Sequence, residues 1–265
     1  MSQYTVRATP EAREAGAITL SVASLPESFG PAGDYDNAHV HAIAGHAGWT
    51  TEAARAISAG ARGVVVVNPA PEDTDDLDDA AQQNGTVVVL DQRWASNPAA
   101  TAAEVAVRSM AGRAAVLDVV ATAPLATDIG ALIADLLAAV VRLAGPLGNL
   151  KLLDRRQNGY TATAVLANGA PVALQGIISD ARPASVNITM LTDDGGARVT
   201  LPDPVAAWPA TVRVTGPQGE LLVPTIYESA HRTTWRRLKE HLDAGTLPSD
   251  LRQFAAVSEA IASLT

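Results

Sequence analysis

The sequence predicts an α/β domain built on a parallel sheet, followed by an α+β domain with a large, mainly antiparallel sheet and closing helices at the C-terminus. Three observations predict it. Val64-Val65-Val66-Val67 and Val87-Val88-Val89-Leu90 are continuous apolar runs rich in β-branched residues, the pattern of strands buried on both faces, and helical segments alternate with them. After Asn149 the pattern becomes an apolar and polar alternation cut by glycine turns, as strands joined directly to antiparallel neighbours require. The end of the chain returns to amphipathic helix. A length of 265 residues suits two domains of ordinary size.

Taken in order, Tyr4 to Arg7 is the first strand, and Ile18 to Val22 and Val40 to Ile43 are further strands of weaker pattern. Thr51 to Ala59 and Glu72 to Gln83 read as helices, closed by Gly60 and by Asn84-Gly85, residue types that tolerate a left-handed helix end. Asn97-Pro98 opens a helical stretch through Met110, and Arg113 to Ala121 is a strand leaving the first domain. This sets domains at 1–118 and 119–265. Thr127 to Leu143 is helical, with Asp128 near its start and Gly145-Pro146 at its end. Asn168-Gly169, Asp194-Gly195-Gly196 and Gly216-Pro217-Gln218-Gly219 divide an antiparallel meander of about five to seven strands, among them Tyr160 to Leu166, Val172 to Ile178 and Val212 to Val214. Ala230 to Ala244 and Leu251 to Ser263 close the chain as helices, separated by Gly245 and Pro248.

Composition excludes several classes of function. With no cysteine there is no disulfide framework, thiolate nucleophile or Cys-ligated metal. A net charge of −9 repels phosphate backbones, and the basic group Arg232, Arg236, Arg237 and Lys239 reads as the solvated face of a helix, so no nucleic-acid partner is expected. No uncharged apolar run reaches a membrane span, and Met1-Ser2-Gln3-Tyr4 has neither the basic nor the apolar part of a secretory signal. A cytoplasmic protein without a membrane role is the expectation.

Four segments carry a resemblance. The run Glu52 to Pro69, ending Val64-Val65-Val66-Val67-Asn68-Pro69, is similar to the helix-turn-strand that ends in the Glu-Lys-Pro motif of the glucose-fructose oxidoreductase / inositol dehydrogenase (Gfo/Idh/MocA) family. Gln92-Arg93-Trp94-Ala95-Ser96-Asn97-Pro98 resembles that family's strand-end segment with Arg, an aromatic residue and Asn-Pro. Gly195 to Leu201 resembles its glycine followed by a short strand, and Ser229 to Leu264 its closing helices. The likeness implies a Rossmann-like first domain that binds NAD(P), and a second domain where a Lys, an Asp and a His handle substrate and proton.

Matched residue by residue, the chain looks like a degenerate or truncated member. Asn68 stands where the family has its Lys, and an amide neither takes up a proton nor offers a positive charge. The family's Asp-x-x-x-His falls on Ala131 and Asp135 in one register and on Asp128 and Leu132 in the other. Ala44-Gly45-His46 replaces Thr-Pro-Asn, and Trp49 the following His. In place of the glycine-rich phosphate turn stands Ala8-Thr9-Pro10-Glu11, so no cofactor is expected. The remaining candidates are Asp128, Asp135 and Lys151 for catalysis, and Gly45, His46, Trp49, Asn68, Pro69, Arg93 and Trp94 for a cofactor.

Independently of the resemblance, His39-Val40-His41 places two imidazoles on one face of a strand, with His46 at its end and Asp34, Asp36 and Asp91 as further ligands for a metal. Asp73, Asp75, Asp76, Asp78 and Asp79 read as an acid-rich helix start. Arg93-Trp94 with Lys151, Asp154, Arg155 and Arg156 would line an interdomain cleft for a small molecule. The open face of the antiparallel sheet, over 150 to 225, would form a homodimer or tetramer interface.

Three functions follow. The leading expectation is a family-like protein without NAD(P) redox chemistry of its own, serving as an oligomer partner or small-molecule binder. The alternative is a divergent NAD(P)-dependent oxidoreductase acting on a sugar, polyol or related hydroxyl compound. The third is a metal-dependent enzyme using His39, His41 and His46.

Overall fold

A computed structural model describes residues 3–33, 37–204 and 207–264. The chain forms two compact units, residues 1–92 with 230–255, and residues 93–229 with 256–265. The first unit holds β1 (Tyr4–Ala8), α1 (Pro10–Ala15), α2 (Ile18–Ala23), β2 (Phe29–Pro31), β3 (Val40–Ala44), α3 (Trp49–Ser58), β4 (Gly63–Val67), α4 (Asp75–Asn84) and β5 (Val87–Asp91). Its five strands run parallel in the order β2-β1-β3-β4-β5. The valine runs are fully buried in β4 and β5, because helices cover both faces.

One of those faces packs Val40, Ala42, Val65, Val67, Val87 and Val89 beneath Ala12, Ile18, Trp235, Leu238 and Leu242. The last three belong to α7 (Ala230–Ala244), so a helix from the far end of the chain completes this core. The expected domain limit at 118 does not coincide with the compact units, whose first break falls after residue 92 and whose first member regains residues 230–255 through α7. A composition change along the sequence marks where the chain leaves a sheet and is blind to its return. The basic group on α7 is also more than a solvated face. Lys239 is buried, paired with Asp243 and set over the Tyr4 ring, while Arg237 holds Asp250 at 2.5 Å.

Ile18 to Val22, expected as a strand, is helix α2. The run is too short for periodicity to separate strand from buried helix, and packing of Ile18 and Val22 against the sheet decides it.

The second unit contains α5 (Ala100–Ala111), β6 (Val116–Ala123), α6 (Ile129–Ala144), β7 (Gly148–Arg156), β8 (Gly159–Val165), β9 (Pro171–Ile178), β10 (Ser185–Leu191), β11 (Gly196–Pro202), β12 (Thr211–Gly216) and β13 (Gly219–Leu222). Helix α8 (Asp250–Ala262) starts in the first unit and ends in the second. The eight strands lie in the order β13-β12-β11-β10-β6-β9-β8-β7. This departs from a pure meander, because β6 inserts between β10 and β9 and runs parallel to β9, with Leu117 opposite Val172. One face, including Leu117, Val119, Leu174, Ile188 and Val199, is buried, with α5 and α6 packed on the sheet. On the other face Ile177 and Leu191 are exposed. Among the described residues no helix is long and apolar enough to cross a membrane.

Candidate functional site

In the parallel sheet β1 connects to β2 on one side, and the chain then returns to β3 on the other. Ligands of open α/β sheets bind beside such a switch point, at the carboxyl ends of the strands. At the end of β1, Thr9 caps the six-residue α1, its hydroxyl accepting from the Ala12 N–H at 3.2 Å. Pro10 brings no N–H of its own. At the start of α3 the Glu72 carboxylate accepts from the Gly48 N–H, from the Thr50 N–H at 3.3 Å and from the Thr50 hydroxyl at 2.8 Å. The chain's own side chains therefore occupy the helix-start amides that would otherwise receive a phosphate.

The ends of β3 and β4 are locked together. Gly45 N–H donates to Val67 C=O at 2.7 Å, and Ala70 N–H donates to Gly45 C=O at 2.6 Å. A side chain on Gly45 would overlap the Asn68 carbonyl and the Pro69 backbone. Asn68 sits at φ 50°, a left-handed conformation that asparagine tolerates better than most residues. Its amide donates to Ala15 C=O at 3.1 Å. The amide in the family's Lys position thus holds the end of α1.

Beside the switch point a groove of about 470 Å³ is bounded by Arg7, Ala8 and Pro10 of the β1 end, His41 and Ile43 of β3, and Glu52, Arg55 and Ala56 of α3. Arg7 and His41 pair across β1 and β3 and so share a face. Burial first, and the Arg7 charge second, depress the His41 pKa, which keeps its imidazole neutral at neutral pH. Among these residues the sequence singled out His41 and the turn at Ala8 to Pro10, and it placed Glu52 to Ala56 on a helix; that this helix lies against Arg7 and His41 was not legible.

In the second unit a polar cluster surrounds Asp135 of α6. Arg93 Nη2 donates to Asp203 at 2.6 Å, and its Nη1 lies 3.8 Å from Asp135. Burial raises the Asp135 pKa to about 7, opposed by Arg93 and reinforced by Asp203. Tyr160, its pKa raised by burial and by Asp135, has a buried hydroxyl without a hydrogen-bond partner among the described residues. The sequence pointed to Arg93 and Asp135, whereas Tyr160 and Asp203 carried no signal, since only tertiary packing brings these four elements together.

The other sequence candidates fall elsewhere. Trp49 is fully buried, donates from Nε1 to Ala70 C=O at 2.8 Å and packs against Phe254. Trp94 is likewise fully buried, with Arg93 over its ring at 5.3 Å. Both indoles serve their cores. Asp128 caps α6, accepting from Ala131 N–H at 3.0 Å, and Lys151 is exposed on β7. His39 Nδ1 accepts from Thr5 N–H at 3.1 Å, while His46 is exposed, 4.0 Å from Glu52. Asp91 is buried in a bond to His231 at 2.7 Å, and Asp34 and Asp36 lie outside the described residues. Among those described, no three His, Cys, Asp or Glu side chains converge as a metal centre requires.

No family model matches this sequence, and no curated protein resembles it closely enough in sequence to count as a relative. Solved structures do match its fold. A levoglucosan dehydrogenase in complex with NADH and L-sorbose superposes with a TM-score of 0.70 at 14% identity, over 99% of this chain and 96% of that one. A UDP-N-acetylglucosamine 3-dehydrogenase from Acidithiobacillus ferrooxidans gives 0.68 at 16%, over 100% and 97%. A 3-ketoreductase from Actinomadura kijaniata in complex with NADP gives 0.67 at 14%, over 99% and 88%. The fold is that of these proteins along nearly its whole length. Two expectations are corrected by this match: a protein without redox chemistry of its own, and a chain that takes no cofactor. Both rested on missing motifs, and motif loss in one turn does not measure whether the architecture that serves a dinucleotide is retained.

Proposed function

We propose that the chain is a divergent NAD(P)-dependent oxidoreductase of the Gfo/Idh/MocA type, acting on a sugar, polyol or related hydroxyl compound. The observation that carries the reading is the match along nearly the whole chain to dehydrogenases and a ketoreductase solved with NADH or NADP. The parallel sheet with its switch point between β1 and β3 supports the reading. The turn at Ala8 to Pro10 differs from the family's glycine turn. A bound nicotinamide supplies hydride transfer.

The chain supplies the proton acceptor. Oxidising a hydroxyl to a carbonyl releases one proton with each hydride, and a group titrating near neutrality exchanges that proton most effectively. Asp135, with its pKa near 7, is the group assigned to this step. Arg93, bonded to Asp203, holds the guanidinium that faces the Asp135 carboxylate.

The test is equilibrium binding of NADH and NADPH by nicotinamide fluorescence, followed by turnover with a panel of sugars and polyols. Binding in the micromolar range and oxidation of at least one hydroxyl compound are expected. Asp135→Asn should then lower kcat by about 10²-fold or more, with KM within about threefold. Absence of binding at millimolar cofactor to folded protein would overturn the reading.

A further inference from the structure

Tyr160 lies on the buried face of β8, opposite Gly176 of β9. A Cβ on Gly176 would fall 2.1 Å from Tyr160 Cε1, so the phenol ring occupies the space that a side chain would take there. Helix α6 packs on β9 and β6. On that helix Asp135 stands three residues after Leu132 and four before Ala139, both fully buried, and it shares their covered face. We propose that Tyr160 is a positioning residue for Asp135: the two side chains hold one internal water between them, through which the phenol fixes the carboxyl. This rests on the proton-accepting role of Asp135 in the oxidoreductase reading and deepens it.

Two observations lead there. The Tyr160 hydroxyl is buried and has no hydrogen-bond partner among the described residues. Asp135 makes no hydrogen bond among them either, with Arg93 Nη1 standing 3.8 Å away. A donor and an acceptor are thus both left unsatisfied where burial demands partners for each. They also feel one another, since the Asp135 charge adds to burial in raising the Tyr160 pKa. An internal water takes about two to four polar partners, and a phenol O–H with a two-oxygen carboxylate supplies them. The surrounding charge is otherwise engaged. Arg93 binds Asp203 at 2.6 Å, and β8 and β9 carry no charged residue. Asp118 of β6 lies between the buried Leu117 and Val119 and so faces the other side of the sheet. Glu104 and Arg108 of α5 pair at 3.2 Å. The phenol is therefore the group whose removal changes Asp135 without altering the charge around it.

Tyr160→Phe keeps the ring on Gly176 and deletes the donor. The phenol donates to the water and the water to the carboxylate, which favours the ionised form. The variant is therefore expected to raise the Asp135 pKa by about one unit. Carbon-13 carboxyl NMR of the full chain reads that shift without turnover. In the pH profile of hydroxyl oxidation, kcat should fall about fivefold at the parent's midpoint and rejoin the parent about two units higher, with KM within about twofold. Gly176→Ala, which displaces the ring, should give the same shift. An unchanged or lowered Asp135 pKa, or a loss of kcat equal at every pH, would overturn the inference and leave Tyr160 a packing residue. So would a high-resolution crystal structure with no oxygen within hydrogen-bond reach of both groups. Failure of NADH and NADPH to bind would overturn the oxidoreductase reading and the catalytic role of the pair, while the NMR titration still decides the pair itself.

Discussion

A carboxyl whose folded pKa is about 7 against an ordinary 3.8 has a measurable signature apart from activity. Between those values the folded chain keeps a proton at Asp135 that the unfolded chain has released. Stability therefore falls as pH rises from about 4 to about 7 and is flat above, by an amount on the order of 4 kcal/mol at most. Asp135→Asn should remove that slope. Urea unfolding at pH 5 and pH 8 should show the variant's advantage over the parent growing by about 3 kcal/mol at most between the two. An unchanged slope would mean that Asp135 ionises normally. Asp135 could be reached from sequence because its register against the family's Asp-x-x-x-His was countable. Its environment could not, since desolvation is a property of packing, and Tyr160 and Asp203 are separated from it by many residues of chain.

At the scale of elements, regular pattern was readable and irregular connection was not. The strands β4 and β5, and the helices α3, α4, α6 and α7, follow from apolar runs, periodicity and glycine stops. Helix α2 and the insertion of β6 between β10 and β9 do not, because a short apolar run has no preferred period and strand order is set by nonlocal pairing. The loops at the ends of β3 and β4 show how tightly such connections are built. Gly45 lies where any side chain meets the Pro69 backbone. Gly45→Ala should lower stability by about 3 kcal/mol and weaken cofactor binding in parallel, as chemical denaturation and fluorescence titration would report. A loss below about 0.5 kcal/mol would show that the two loops separate easily.

For the whole molecule, the two-part architecture and the character of each sheet were legible, and the function was misjudged because absent motifs were weighed above retained architecture. The sheet face carrying Ile177, at 42% exposure, and Leu191, at 46%, supports the proposal that this surface joins copies of the chain, since broad sheet faces with exposed apolar residues are commonly covered. Light scattering at micromolar concentration should give a dimer or tetramer, and Ile177→Lys with Leu191→Lys should shift it toward monomer. A monomeric parent would remove that proposal. The return of α7 to the parallel sheet has a bearing on biosynthesis. Trp235, Leu238 and Leu242 lie in the core of a unit whose strands all precede residue 92. On the ribosome those strands emerge with one face only partly covered, by α1 and α2, and the eight-stranded sheet is made in full before the helix that completes the cover appears. The first unit to be translated is thus the last to be sealed, and a chain interrupted after Ser229 would expose its valine-rich sheet to aggregation.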